Sequence, residues 1–339
     1  METLSPPGMQ AHKDFTYSCL TNFMDLFRSV QAVTDTGDEG IIDWESVAAA
    51  AKAGTPKGDL SLDAGEQAGY REDVRDARDR LRSVGGIEFD LPDRIEIQHR
   101  HHWIDANIET FRRAVEPLDS MPVALPTVSR TLNSATMALT LGFLGRNVMG
   151  QYDPLLLADS DEHALYFLRP NIRRVAAELD VDYPRFRRWI AFHEVAHAAE
   201  FDAAPWLSTY LESRMTDSVT ALSDGEFDTD QLNELMAAMT AVEGYAELLM
   251  DRAFDDEYAD LREKVDARRS SGGPLRQLMS RLLGLKLKRE QYERGAAFFA
   301  EVADRRGLTA ASAVWETADN LPTDDELDAP EQWLQRVDP

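Results

Sequence analysis

The sequence predicts a mainly α protein with a few short strands and an N-terminal helical part. Three observations carry this: apolar residues recur every three or four positions along most of the chain, alternating runs are few and short, and Asp, Pro and Gly stand where helices need caps and stops. Residues 15–33 carry the helical pattern through Leu20, Phe23, Met24, Phe27 and Val30, which breaks at 34–40. Asp43 then caps a short helix over 44–53, and a charged helix over 63–84 is closed by Gly85 and Gly86. Residues 93–98 alternate enough for a strand, and helices resume at 104–115 and 130–148. A second strand is expected at 164–168. After it the pattern predicts helices at 171–179, 184–201, 206–215, 231–254, 258–269, 275–282, 290–305 and 310–315. The acidic stretch 217–230 reads as a loop between two of them.

Composition narrows the class of function. The chain has 339 residues, 61 acidic against 36 basic, and a formal net charge of -25. Asp occurs 35 times and Lys six times, a balance that favours a protein adapted to high salt over the alternative of an ordinary acidic cytosolic one. Such a surface repels nucleic acid and anionic membrane, so neither is an expected partner. Cys19 is the only cysteine, which excludes an internal disulfide and a thiolate metal cluster. Residues 1–13 lack a basic start followed by an apolar core, and the weakly polar run at 138–145 is far too short to span a bilayer. The expectation is a soluble, cytoplasmic protein.

Residues 193–197 read His-Glu-Val-Ala-His. On a helix, side chains four apart share a face, so His193 and His197 can converge on one cation. Zinc binds imidazole well, and Glu194, displaced around the helix, suits a base acting on water rather than a ligand. The setting is helical: Asp182 can cap the segment, Pro184 fits its first turn, and Asp202 and Pro205 mark its exit.

A third ligand is needed. The metzincin extension requires Gly and His where this chain has Glu200 and Ala203, so that pattern is excluded. Glu200 shares the helix face, yet three ligands from one straight helix suit a tetrahedral metal poorly. Residues 231–254 offer a better source, because Glu243 and Glu247 fall within an apolar stripe containing Met236, Met239, Ala246 and Met250. Two carboxylates four apart in such a stripe need a compensating cation. The simplest account puts Glu243 on the metal and Glu247 behind it, accepting a hydrogen bond from a ligand imidazole. Gly244 permits another backbone to approach there. The run His99, His101, His102 reads as a polar edge or loop rather than a second metal site.

The segment Trp-Ile-Ala-Phe-His-Glu-Val-Ala-His at 189–197, followed by Phe201 and Ala-Pro-Trp-Leu at 204–207, resembles a family of zinc-dependent metalloproteases found in actinobacteria, chloroflexi and haloarchaea. Some members are associated with biosynthesis of the deazaflavin coenzyme. Further matching pieces are Gly-Gln-Tyr-Asp at 150–153, Pro-Asn-Ile at 170–172, Glu-Gly-Tyr-Ala-Glu at 243–247, Gln291-Tyr292 with Gly-Ala-Ala-Phe at 295–298, and Ala-Val-Trp at 313–315 before Leu321-Pro322. Where the family usually reads Glu-Gly-His-Ala-Asp, this chain has Tyr245 and Glu247. The resemblance implies a zincin-like, gluzincin-type fold over 42–339, with Glu243 as third ligand and residues 1–41 as a helical extension outside the match.

The expected chemistry is hydrolysis of an amide, with a peptide or protein as substrate, zinc as cofactor and Glu194 moving the proton. Tyr152, Tyr245 and Tyr292 are candidates for a donor to the oxyanion. Two other readings stand beside it: a zinc-stabilised accessory protein of coenzyme biosynthesis without proteolytic activity, and hydrolysis of a small non-peptide amide.

Overall fold

The computed structural model describes residues 40–120, 126–153, 163–223, 229–254, 258–270 and 285–339. The helices expected at 15–33 and 275–282 lie outside the described residues. Helix α1 (Trp44–Ala53) starts where the Asp43 carboxylate accepts the Ser46 N–H, and α2 (Ala64–Gly85) runs from its Asp63 cap to Gly86, whose φ of 64° is left-handed. Strand β1 (Arg94–Gln98) leads into α3 (Arg100–Val115). This helix begins four residues earlier than expected, because His99 caps it by accepting the His102 N–H through its ring.

Next come α4 (Pro126–Asn147), β2 (Gly150–Asp153) and β3 (Ala164–Leu168). Strand β2 was not expected, since four residues opening on glycine show no alternation worth the name. Helices α5 (Arg169–Leu179), α6 (Tyr183–Ala203), α7 (Leu207–Ser223) and α8 (Thr229–Ala253) follow. The acidic stretch expected as a loop over 217–230 is instead helical to Ser223 and again from Thr229. Arg214 offsets its charge by pairing with Asp217 and Glu234, and Val219 is buried. The chain closes with α9 (Ala259–Ser270), α10 (Leu285–Arg306), α11 (Leu308–Ser312), α12 (Asp324–Asp328) and α13 (Pro330–Val337). The helix expected over 310–315 is split between α11 and a 3-10 turn, Ala313–Trp315.

The strands form one sheet in the order β1-β3-β2, with β1 parallel and β2 antiparallel to β3. All five residues of β3 are buried, as a central strand covered on both faces requires. Leu165 and Phe167 join a large core built by α2, α6, α8, α10 and the C-terminal elements, whereas Leu168 joins a smaller one under α1, α3 and α4. Among the described residues no helix is long and apolar enough to cross a membrane.

Two features hold α6 and α8 in place. Glu66 on α2 takes both ends of the Arg169 guanidinium, at 2.7 and 2.9 Å, and the Tyr183 hydroxyl at 2.6 Å, tying α2 to the starts of α5 and α6. Helix α8 packs most extensively on α10, where Gly244 faces Gly295.

A Cβ at Gly244 would stand 2.3 Å from the Gly295 carbonyl carbon, so Gly244→Ala must push backbone against backbone. The variant is expected to lose about 1–3 kcal/mol of stability, read as a lower urea midpoint at unchanged slope. Burial alone would raise the Glu66 carboxyl, but Arg169 and Tyr183 hold it below its ordinary 4.5. A depressed carboxyl stabilises the fold above that value and loses the contribution as acid protonates it. Glu66→Gln is therefore expected to be less stable than wild type at pH 7, the gap narrowing as pH falls below 4.5 in parallel urea titrations.

Candidate metal centre

Helix α6 is built to be buried. The Asp182 carboxylate accepts the Arg185 N–H, Pro184 sits in the first turn, and side chains on nearly every side of the helix from Phe186 to Phe201 are covered. Such a helix needs its charged residues partnered, and Arg187 reaches Asp73 on α2 at 2.5 Å. On α8 every residue from Thr240 to Met250 is buried, which places Glu243 and Glu247 in the interior.

Where these helices meet, ligating atoms of His193, His197 and Glu243 all lie within 4.8 Å of one another. His197 Nε2 is 3.8 Å from Glu243 Oε2. The two imidazole rings stand edge to face, their centroids 4.6 Å apart, and the His193 ring lies parallel to that of Trp189 one turn earlier. Among the described residues this is the one group with metal-ligand geometry. Two imidazoles and a carboxylate, brought by two helices from different directions, suit a tetrahedral ion with one position open. The charge balance agrees: Glu194, Glu200 and Glu243 are all buried here, and Glu200 Oε1 makes no hydrogen bond. Three carboxylates against two imidazoles leave an excess negative charge that a dication offsets. The residues fit a metal.

Glu200, not Glu247, stands behind His197. Its Oε2 lies 2.9 Å from His197 Nδ1, so the imidazole carries its proton there and turns Nε2 toward Glu243. Burial alone would lower the His197 pKa, but the Glu200 charge and hydrogen bond, with Glu243 and Glu194 adding to them, raise it to about 9. Burial in turn pushes Glu200 up to about 7 despite the attraction of His197. Glu247, expected to hold an imidazole, instead pairs with Arg262 of α9. Position 200 is visible in the sequence, one turn beyond His197, but its spacing there suggests a ligand and not a support for the ring.

Glu194 meets the sheet. Its Oε2 accepts the main-chain N–H of Tyr152 at 2.9 Å, and a Cβ at Gly150 would come within 2.5 Å of Oε1. Glycine at 150 leaves room for the carboxylate, which a Cβ there would force to shift. Neither contact leaves a mark that sequence reasoning could find.

The tyrosines fare differently. Tyr245 is a core residue and not an oxyanion donor: its ring packs on Phe299 and Trp315, and its hydroxyl bonds Ser312 at 2.8 Å. It sits two residues from Glu243, which turns it to the far side of α8. The Tyr292 side chain lies outside the described ones. Tyr152 has its ring beside Phe201 and its hydroxyl 2.5 Å from His163 Nδ1. The second histidine run is structural, with His99 capping α3 and His101 Nε2 on the Thr55 carbonyl at 2.7 Å.

A family model described as zincin-like metallopeptidase matches residues 42–232 and 213–334. The chain belongs to this zincin-like metallopeptidase family. A solved structure from Chloroflexus aurantiacus, described as a putative hydrolase with a novel fold, is 32% identical, with a TM-score of 0.73 over 88% of this chain and 99% of the other. No curated protein matches the sequence. Family and structural neighbour together support a hydrolase.

Removing the hydrogen bond behind His197 should separate the two glutamates. Glu200→Gln is expected to weaken zinc binding roughly 10–100-fold, whereas Glu247→Gln stays within a few-fold of wild type in competition titrations against a chromogenic chelator. The reverse order would restore Glu247 to the place behind the ligand.

Proposed function

We propose that the protein is a zinc-dependent peptidase, with His193, His197 and Glu243 as ligands and Glu194 as the base. The observation that carries this reading is the convergence of those three ligating atoms beside a carboxylate clamped to the sheet edge. A zinc ion in this donor set supplies a Lewis acid that polarises a carbonyl and makes water acidic near neutral pH. The chain's own groups do the rest. Tyr152 N–H holds Oε2 of Glu194, which aims the carboxylate that takes a proton from water and delivers it to the leaving nitrogen. Glu200 holds the ring of His197 by its Nδ1 and so turns Nε2 toward the place the metal would take.

A peptide suits the edge beside Glu194. Leu168 N–H bonds the Met149 carbonyl, and Gly150 pairs with Phe167 in the antiparallel register. Alternation then turns the main-chain groups of Gly150 and Tyr152 away from β3, as the Tyr152 bond to Glu194 also requires. Strand β2 is the sheet's edge, so an extended peptide added there by strand pairing brings its amides next to the base. Within this reading, residues 42–339 form the hydrolase domain and residues 1–41 an extension of it.

The test joins metal content to turnover. Glu194→Gln is expected to hold as much zinc as wild type and to lose about 10²–10⁴ of its turnover on a mixed peptide pool. His193→Ala and Glu243→Ala should lose zinc itself, measured by metal analysis after dialysis. Equal zinc in all of them, or unchanged turnover with glutamine at 194, defeats the assignment.

A further inference from the structure

A cavity of about 250 Å³ opens beside the metal centre, between α6, α8 and α9. Its walls are Trp189, Met250, Phe254 and Tyr258, each no more than 6% exposed. Its place is set by both ligand helices at once. Trp189 stands one turn before His193, with ring centroids 6.2 Å apart and planes within 2°, and Glu247 stands one turn after Glu243. One turn is about 5.4 Å along a helix. Successive residues of an extended peptide advance about 3.4 Å, so the cavity lies within reach of a residue flanking the bond at the metal and too close for one several places away.

Size and charge decide what it holds. Sites for cofactors and small molecules run to roughly 300–1,000 Å³, and this cavity falls below that range, at the scale of one large side chain. Glu247, Asp251 and Arg262 are the charged groups lining it, and the single guanidinium bonds both carboxylates. The Glu247 side chain is 10% exposed, against 44% for Asp251 and 37% for Arg262, so the latter two mark the mouth. Arg188 stacks against Phe254 and Tyr258, and is occupied by Asp76 and the Tyr258 hydroxyl. An acidic side chain entering here meets two carboxylates that already share one guanidinium, and a cationic one is drawn to Asp251 at the mouth, whereas an apolar one exchanges water for the aromatic walls within.

We propose that this cavity is the side-chain subsite flanking the scissile amide, and that it selects a large uncharged apolar residue such as phenylalanine, tyrosine, leucine or methionine. The inference rests on the peptidase reading, but binding can test it apart from turnover. Zinc-loaded Glu194→Gln protein is titrated by NMR with N-acetyl-phenylalaninamide and with the glycine, lysine and glutamate counterparts. The phenylalanine probe is expected to bind at least about tenfold more tightly than the other three. Ala259, exposed at the start of α9 and lining the cavity, allows the cavity to be filled with little risk to the fold. Ala259→Trp should erase that preference, and Ala259→Leu should reduce it if the larger ring disturbs folding. Equal binding of all four probes, tighter binding of a charged one, or a preference unmoved in both variants overturns the subsite. On a mixed peptide pool, wild-type cleavage sites should carry the same residues beside the cut. A pool left intact while the probes discriminate refutes the peptidase reading and with it the subsite's catalytic role, whereas cuts without preference refute the subsite alone.

Discussion

Where α6 crosses α8, the core encloses the carboxylates of Glu194, Glu200 and Glu243 among Phe192, Val195, Ala246 and other apolar side chains. Enclosing one ionised carboxylate without a partner costs several kcal/mol, and three in one place multiply the difficulty. The surrounding structure answers each in turn. Glu194 is tied to a strand, Glu200 to a histidine, and Glu243 faces the same histidine from the other helix. The surrounding carboxylates raise His197 against the effect of burial, whereas burial itself raises Glu200. On the proposed reading, ion uptake would release a proton and strengthen the fold together, because the folded chain presents a site that the unfolded chain lacks.

Much of this was legible in the sequence, and the reasons for the rest are physical. Helix α6 announced itself through Asp182, Pro184 and the spacing of Phe186, Ile190, His193 and His197, all of which are local. Glu243 could be found because a buried carboxylate on a helix must have a purpose. Choosing between Glu200 and Glu247 as the support for the imidazole was another matter. Helix α8 is covered on all sides from Thr240 to Met250, so its apolar stripe does not say which of its carboxylates looks toward α6. Arg262, arriving from α9, claims Glu247, and only the tertiary arrangement shows it. Strand β2 escaped for a related reason: four residues with a leading glycine carry no period, and their pairing partner is a separate segment, residues 164–168.

Two glycines show how closely the site depends on backbone approach. Gly244 lets α8 settle against Gly295 of α10, which sets the depth at which Glu243 lies. Gly150 lets β2 come up to Glu194. The first was suspected from sequence as a point of close approach. The second was not, since a glycine opening a short segment looks like any turn residue until the carboxylate beside it is known.

The clamp between Tyr152 and Glu194 joins two parts that could otherwise move separately. In the proposed reading the ligands belong to α6 and α8 and Glu194 is the base, whereas the edge on which an extended chain pairs belongs to the sheet. A base held only by its own helix would keep its distance to the metal but not to a substrate lying along β2. A base held by β2 as well keeps both, because any shift of the strand along α6 breaks a hydrogen bond to a buried carboxylate. Proton transfer is sensitive to displacements of an ångström or less, so this double attachment places the constraint where chemistry is least tolerant. Catalytic competence on this view is a property of the α6–β2 junction as much as of the three ligands.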